Sequence, residues 1–478
     1  MELEYSPDMA FSNDTYDYDQ GNFLVDLPWE VQHNIFKRLD PKSRASLREV
    51  SKDLRNTMDD PSFWKRQIVR LSSIRRFKEP MWNLLLQRNI RHIEVRPSAD
   101  ETQEYHRHNM VWNDLEWGQL AERIPDLKSI TTPLKCDKGK GLPCGMRDLD
   151  QLEQLRVHSV LYADHQLFMD MSCLSTLKQL CIEVLCLDVL VERTDALKHL
   201  AQLRDLEDLQ LTFRRFTMLN KQAFQYLLYH LPKLRRFALR RCCFRFPDIS
   251  VIFSSPPPSD DVKQKTGTVD GSEINNHADN AAVEPERINR LNLTELDLSG
   301  TLQHVLNEDA VTALDTLQIF RLQTHGIDDS IREFFRSCFT KWQRLVELDV
   351  RNADLPADIF HYVPHSLRIV HLSLSGIDFS LEALLKLSER CGTHMEQLHL
   401  YGCEPKHPQK LYYLPDWFPN LKCLSFVGDI GSISREILCR LSEMKLDILD
   451  VRECQVQPGK DVWDILRSLM GSRTHILS

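Results

Sequence analysis

The sequence predicts an α/β chain in which a small three-helix module is followed by a solenoid of strand and helix repeats. Residues 26–65 hold three helix starts, and the hexapeptide pattern L-x-x-L-x-L, with aliphatic substitutions, then recurs toward the end of the chain. A third observation narrows the class. None of the 478 residues belongs to an uninterrupted apolar run of the length that spans a bilayer.

The first helix opens at Asp26 and Pro28, with Val31, Ile35, Phe36 and Leu39 following at helical spacing. Asp40-Pro41 and Asp60-Pro61 each set a capping carboxylate before a proline, which loses no hydrogen bond at a first helical position. Leu47, Val50 and Leu54 mark the second helical face, and Phe63, Trp64 and Ile68 the third. So short a segment is near the lower limit for a self-sufficient core, and its surplus apolar surface reads as a contact face.

These residues resemble the F-box family. Leu27-Pro28, Ile35-Phe36, Leu39-Asp40-Pro41, Leu47, Val50-Ser51-Lys52, Arg55, Asp60-Pro61 and Trp64-Lys65 stand in that family's order and spacing. The resemblance implies that Leu27, Pro28, Ile35, Leu39, Val50 and Trp64 contact the Skp adaptor, which joins F-box proteins to a cullin scaffold and its RING subunit. The alternative reading of the same side chains is the core of a small helical bundle. The expected organisation is a disordered acidic N-terminus at 1–21, an F-box at 22–71, a helical link at 72–96 and leucine-rich repeats over 97–478.

The repeat begins in degenerate form at Leu127 and continues from Leu152, Leu177, Leu206 and Leu234. After a gap it resumes from Leu293, Leu317, Leu345, Ile369, Met395, Leu421 and Leu446, with a further candidate at Ile90. Outside the gap the starts lie 24 to 29 residues apart, the leucine-rich-repeat period. Each triplet is expected as a strand and the remainder as a helix, as at 220–231, 380–392 and 434–444. Strands stack every ~4.8 Å while helices need ~8–10 Å, which predicts a horseshoe with its strands inside.

Cys242, Cys403 and Cys454 follow the last strand leucine by three residues, where the chain is expected to leave the strand, as in the cysteine-containing repeats common in F-box proteins. Residues 254–286 lack apolar periodicity and read as a disordered insertion extruded from one repeat. Ser6-Pro7 and Ser255-Pro256 are too short a signal to favour phosphorylation over an unmodified linker. The acidic, aromatic stretch 97–118 leads into the first repeat helix, where Trp112 and Trp117 are expected to cap the open end of the core.

Function classes are narrowed by what the chain does not contain. A formal charge of −9 argues against a general nucleic-acid binder, and an acidic, tyrosine-rich start does not read as a secretory leader. The 13 cysteines form neither a disulfide framework nor a C-x-x-C pair, so a reducing cytoplasmic or nuclear setting is expected, with no metal and no cofactor. Phosphate-loop, zinc-protease and nucleophile-elbow motifs are absent, and KGKGLPCG, with Gly139, Gly141 and Gly145, reads as a loop. The chain is therefore expected to be non-catalytic.

Recognition then falls to the strand side chains alternating with the leucines, which are expected on the concave face: Arg156, His158, Arg236, Arg240, Arg321, Arg351 and Arg452, with Asp297, Asp349 and Asp450 among them. Arginine is densest at Arg214, Arg215, Arg235, Arg236, Arg240, Arg241 and Arg245, a patch suited to an acidic or phosphorylated peptide; the competing reading is a solvated edge with internal ion pairs. His399 and Tyr401 add an aromatic, hydrogen-bonding spot. Taken with the F-box resemblance, this implies a substrate receptor of a Skp, cullin and F-box ubiquitin ligase, with an unidentified protein substrate on the repeats and neither nucleic acid nor membrane as partner. The alternative is a non-degradative binding scaffold that uses the F-box only for recruitment.

Overall fold

Pro28, Asp40 and Asp60 each start a helix in the computed structural model of the chain, and Ser51 starts a fourth. The Pro28 carbonyl accepts from the Val31 and Gln32 amides and opens α1 (Trp29–Lys37). Asp40 accepts from the Lys42 amide at 2.8 Å and the Ser43 amide at 3.0 Å, opening α2 (Pro41–Val50). Ser51 is extended, ending α2, and its hydroxyl accepts from the Leu54 amide at 3.1 Å to cap α3 (Lys52–Met58). The single second helix expected across Leu47, Val50 and Leu54 is therefore two, because a serine that caps the next helix cannot continue the previous one. Asp60 caps α4 (Pro61–Trp64) through the Ser62 amide.

The described residues are 27–75, 77–96, 112–134, 141–160 and 163–184 in a first unit, Met1–Val184. In a second unit, Leu185–Ser478, they are 196–219, 221–244, 292–299, 314–323, 329–351, 357–373, 381–401, 408–427, 434–452 and 474–477. Asp26, the N-terminal 1–21 segment, the 97–111 stretch, Gly139, Arg245, the 254–286 insertion with both Ser-Pro pairs, Cys403 and Cys454 lie outside them, as do the side chains of Arg214 and Arg215.

In the first unit the sheet begins directly after α4. Strand β1 (Ile68–Leu71) pairs in parallel with β2 (His92–Val95), with Ile68 opposite His92 and Leu71 opposite Val95, and α5 (Glu79–Gln87) lies between them in sequence. Residues 72–96, expected as a helical link, thus hold a helix and a paired strand, and the candidate copy at Ile90 forms β2. IVRL alternates like its neighbours and finds a ladder partner, so it is a strand rather than the end of a helix. The parallel order continues with β3 (Ser129–Pro133), β4 (Gln154–Val160) and β5 (Gln179–Val184).

Helices α6 (Asp114–Arg123), α7 (Cys144–Arg147) and α8 (His165–Ser172) intervene between those strands. Asn113 and Glu116 close a reciprocal capping box on α6, and the rings of Trp112 and Trp117 pack 4.9 Å apart beneath it. Two strands precede this pair, so it lies inside the repeat order rather than at its open end.

The second unit repeats one theme ten times. Strands β6 (Asp208–Leu219), β7 (Arg236–Phe244), β8 (Glu295–Leu298), β9 (Ile319–Gln323) and β10 (Glu347–Arg351) are followed by β11 (Ile369–Ser373), β12 (Gln397–Tyr401), β13 (Cys423–Val427), β14 (Ile448–Asp450) and β15 (His475–Leu477), each parallel to the next. Between strands the chain alternates α-helices, α9 (Lys221–Tyr229), α10 (Asp329–Lys341), α11 (Leu381–Cys391), α12 (Leu414–Trp417) and α13 (Arg435–Leu441), with 3-10 turns at Ala196–Gln202, Ala357–Tyr362 and Pro408–Tyr413. β15 has no L-x-x-L-x-L signature and was not expected.

The long gap leaves the ladder intact, since Arg236 still stands opposite Glu295 and Ala238 opposite Asp297. Cys242, expected where the chain leaves the strand, is buried inside β7, opposite Thr217. The pattern leucines form the core on one side of the ladder: Leu209, Phe237, Leu296, Phe320, Leu348, Val370, Leu398, Leu424 and Leu449 are all buried in register. Each such side chain contributes roughly 1.5–3 kcal/mol of burial.

Candidate protein-interaction surfaces

The first surface is made by α1 and α2. Pro28, Val31 and Ile35 follow one another at helical spacing on α1 and are exposed, as are Trp29 beside them and Val50 at the end of α2. Val50 is 67 % exposed and Trp29 44 %, and it is the run of exposed apolar side chains at α1 rather than any one of them that reads as a contact face. Leu27 and Leu39 are half-buried at the two ends of α1.

Trp64 differs from its expected role. It is 2 % exposed, its indole N–H donates to the Met58 carbonyl, and the Arg88 guanidinium from the end of α5 lies 3.9 Å above its ring. Trp64 is therefore an anchor of the domain's interior and not part of its open face.

Around Trp64 lies a buried charge cluster that the sequence did not point to. Asp59 accepts from Arg88 Nε at 2.8 Å and Nη2 at 2.6 Å, and from Arg48 Nε at 2.9 Å. Arg44 reaches the Phe63 carbonyl at 2.7 Å with its guanidinium 5.6 Å from the Trp64 ring centre. On the other side of Phe63, His33 stacks at 4.9 Å and touches Trp29 at 5.4 Å, tying the exposed tryptophan to the core. The only sequence signal for Trp29 was an aromatic directly after Pro28; for Arg44 and Arg88 there was none.

The second surface is the leucine-free side of the strands in the second unit. Register sets Asp297, Arg321, Asp349, His371, His399, Ser425 and Asp450 side by side on successive strands. Asp297, Asp349 and Asp450 are buried, and each receives a guanidinium. Arg240 bonds Asp297 through Nε at 2.9 Å, Arg351 bonds Asp349 at 2.9 and 2.8 Å, and Arg452 bonds Asp450 at 2.9 and 2.7 Å. Arg321 bridges Glu295 and Glu347, and Arg236 pairs with Asp208 at 2.9 Å.

Burial pushes Asp297 upward, but Arg240 and Ser299 outweigh it and hold the carboxyl below its ordinary range. Asp450 is likewise lowered, chiefly by Arg452. These arginines complete buried carboxylates, so Arg236 and Arg240 themselves are internally matched.

His371 and His399 form a different spot. Their rings stack at 4.2 Å with 3° between planes, and the Tyr401 ring lies 6.2 Å from His399, nearly parallel to it. Burial lowers His371, and burial together with the neighbouring His371 brings His399 down to about 4. Both rings are therefore neutral at physiological pH, giving an uncharged aromatic step between the Asp349–Arg351 and Asp450–Arg452 pairs. His371 Nδ1 is buried with no hydrogen-bond partner.

The third surface is the corresponding side of the first unit, carrying Arg156 and His158. Arg156 is exposed, and His158 Nδ1 lies 3.8 Å from Glu183. The candidates read from sequence thus fall on two units, and in the second, register sets Arg321 and His399 in one row, with Arg351 and Tyr401 together two residues further along their strands. Among the described residues no group of three or more His, Cys, Asp or Glu is arranged to hold a metal, and no helix is long and apolar enough to cross a membrane.

Comparison with known proteins agrees with this geometry at its N-terminal end. Residues 24–66 match the F-box domain family. No curated protein matches the sequence. Among solved structures, an internalin from Listeria monocytogenes is similar at 12 % identity and a TM-score of 0.38, covering 76 % of this chain and 88 % of that one. The leucine-rich-repeat ectodomain of the Arabidopsis thaliana receptor kinase GASSHO1/SCHENGEN3 is similar at 13 % identity and a TM-score of 0.34, covering 89 % of this chain and 44 % of its own. Likenesses this weak carry no argument, and the repeat architecture rests on strand order and register. The chain joins an F-box domain to leucine-rich repeats.

Proposed function

We propose that this chain is the substrate-recognition subunit of a Skp, cullin and F-box ubiquitin ligase. The observation that carries the reading is the set of exposed apolar side chains Pro28, Val31 and Ile35 at α1, with Val50 at the end of α2, on a domain matching the F-box family. In this reading Leu27, Pro28, Ile35, Leu39 and Val50 dock the Skp adaptor, which brings the cullin and the RING subunit, while the leucine-free strand side holds the target protein. The chain supplies no catalytic group of its own; holding a target lysine near the charged thioester raises its effective concentration.

The test is affinity purification from cells of the full chain beside an Ile35→Asp, Val50→Asp variant, with the proteasome inhibited. Adaptor and cullin are expected to vanish with the variant while a further bound protein remains and accumulates. A wild-type chain that never brings down the cullin overturns the ligase reading in favour of a non-degradative scaffold.

A further inference from the structure

The two strand faces differ in how their charge is matched. In the second unit the five arginines singled out from sequence, Arg236, Arg240, Arg321, Arg351 and Arg452, are each paired with at least one carboxylate. On the strand face of the first unit one carboxylate serves two arginines and a third arginine is unpaired among the described residues. Arg70 and Arg96 converge on one carboxylate, Glu94, at 3.0 and 2.7 Å, while Lys128 and Lys178 converge on Glu153, at 3.1 and 2.9 Å, as Arg368 and Lys422 do on Glu396 in the second unit. Glu94 and Glu153 are both held below the ordinary carboxylate range, Glu94 by its arginines against the opposing effect of burial and Glu153 by Lys178 and Lys128. Each is one negative charge shared by two positive ones.

Arg156 stands in the middle of this face. It is exposed and makes neither an ion pair nor a hydrogen bond among the described residues. Directly across on β3 is Thr131, half-buried, whose hydroxyl is equally without a partner among them, and Glu94 with its two arginines follows one strand further. A guanidinium, a neighbouring hydroxyl and a local excess of positive charge, in a chain of net charge −9, form a receptor for a single anionic group.

We propose that the strand face of the first unit, centred on Arg156 and Thr131, docks an acidic peptide segment of the recruited protein, with Arg156 taking a side-chain carboxylate or phosphate. This rests on the receptor reading above and names the chemistry of its target. A peptide fits better than a nucleic acid, because the local excess is a few charges and not a continuous basic stripe. Because Arg236, Arg240, Arg321, Arg351 and Arg452 of the second unit already hold carboxylates, the acidic segment is expected on the strand face of the first unit.

The test uses the purified full chain and fluorescence anisotropy with four labelled probes: a short glutamate-rich peptide, its glutamine counterpart, its phosphoserine counterpart and a single-stranded oligonucleotide. The glutamate or phosphoserine probe is expected to bind and the glutamine probe not. Arg156→Ala is expected to weaken binding about five- to tenfold, while Lys233→Ala, at an exposed surface pair of the second unit with Asp205, leaves it unchanged. The stronger of the two acidic probes tells carboxylate from phosphate. Failure of both acidic probes, equal binding of the glutamine probe, no change in Arg156→Ala, or an equal loss in Lys233→Ala overturns the proposal, as does tighter, Arg156-dependent binding of the oligonucleotide. Adaptor capture measured on the same preparations separates the two ideas: its absence in the wild type sinks the receptor reading alone, and its presence with no probe binding sinks this one alone.

Discussion

Replacing Asp59 with alanine tests whether the F-box domain and the first strands fold as one piece. Asp59 is buried and is the carboxylate partner of Arg88, which is itself 6 % exposed and pressed on the Trp64 ring. Burial already lowers the Arg88 guanidinium's affinity for its proton, with Asp59 opposing that effect. Without the carboxylate, Arg88 stays buried and uncompensated beside Arg48, a change expected to cost about 3–5 kcal/mol.

The assay is hydrogen exchange of the full chain, comparing segments 52–66 and 79–95 with segment 395–401 of the second unit as an internal control. Exchange in the first two is expected to accelerate by about two to three orders of magnitude, with the control unchanged. Adding Arg88→Met removes the stranded charge and is expected to recover most of the loss. A change below about tenfold in Asp59→Ala, or a double variant worse than the single one, would refute the account.

Three further outcomes follow from the same geometry. Val50→Asp should abolish adaptor capture while shifting stability by less than about 0.5 kcal/mol, whereas Trp64→Ala should cost about 3–5 kcal/mol; equal destabilisation by both would remove the distinction between face and core. Phe320→Ala removes a ring packed 4.8 Å from Trp342 and 6.2 Å from Phe335, and about 3–5 kcal/mol of local stability around β9 and β10 should go with it, read by exchange of segment 314–351. The His371–His399 pair, faced by Arg321, Glu347, Asp349, Arg351, Tyr401 and Asp450, should make the second unit sensitive to mild acid. Because the folded-state values lie below the ordinary histidine value of 6.5, the unfolded chain takes up protons first. Stability is therefore complete above that value and falls as pH drops toward about 4, by about 1–2 kcal/mol after solvent screening. A His399 ring proton that titrates near 6.5 in an NMR series, or a His399→Gln variant with unchanged acid sensitivity, would show otherwise.

The parts of this molecule that were legible before folding depend on neighbours in sequence. Asp40 and Asp60 cap helices because a carboxylate reaches an amide two or three residues on, and the leucines sort to one side of each strand because alternation has period two. The Asp349–Arg351 and Asp450–Arg452 pairs were legible in the same way, since residues two apart on a strand share a face, yet the density of arginine drew attention to a possible ligand instead. Ser51 as a cap was also available in the sequence and was hidden by the leucine spacing around it.

By itself, then, the sequence determined the helix starts, the strand positions from Ile90 to Leu446, the core side of each strand and the F-box likeness. Tertiary structure alone decided which exposed-looking residues are interior and which charges are free. Trp64 is covered by Arg88, 24 residues away; Arg240 meets Asp297 across 57 residues and an insertion; His371 and His399 stack only because β11 and β12 lie in register. Arg156 is left open because the strands beside it bring Thr131 and Cys181 rather than an acid. The physical reason is common to all four: pairing and burial depend on what lies across a ladder or beneath a ring, and parallel register joins residues whose separation along the chain carries no local signal.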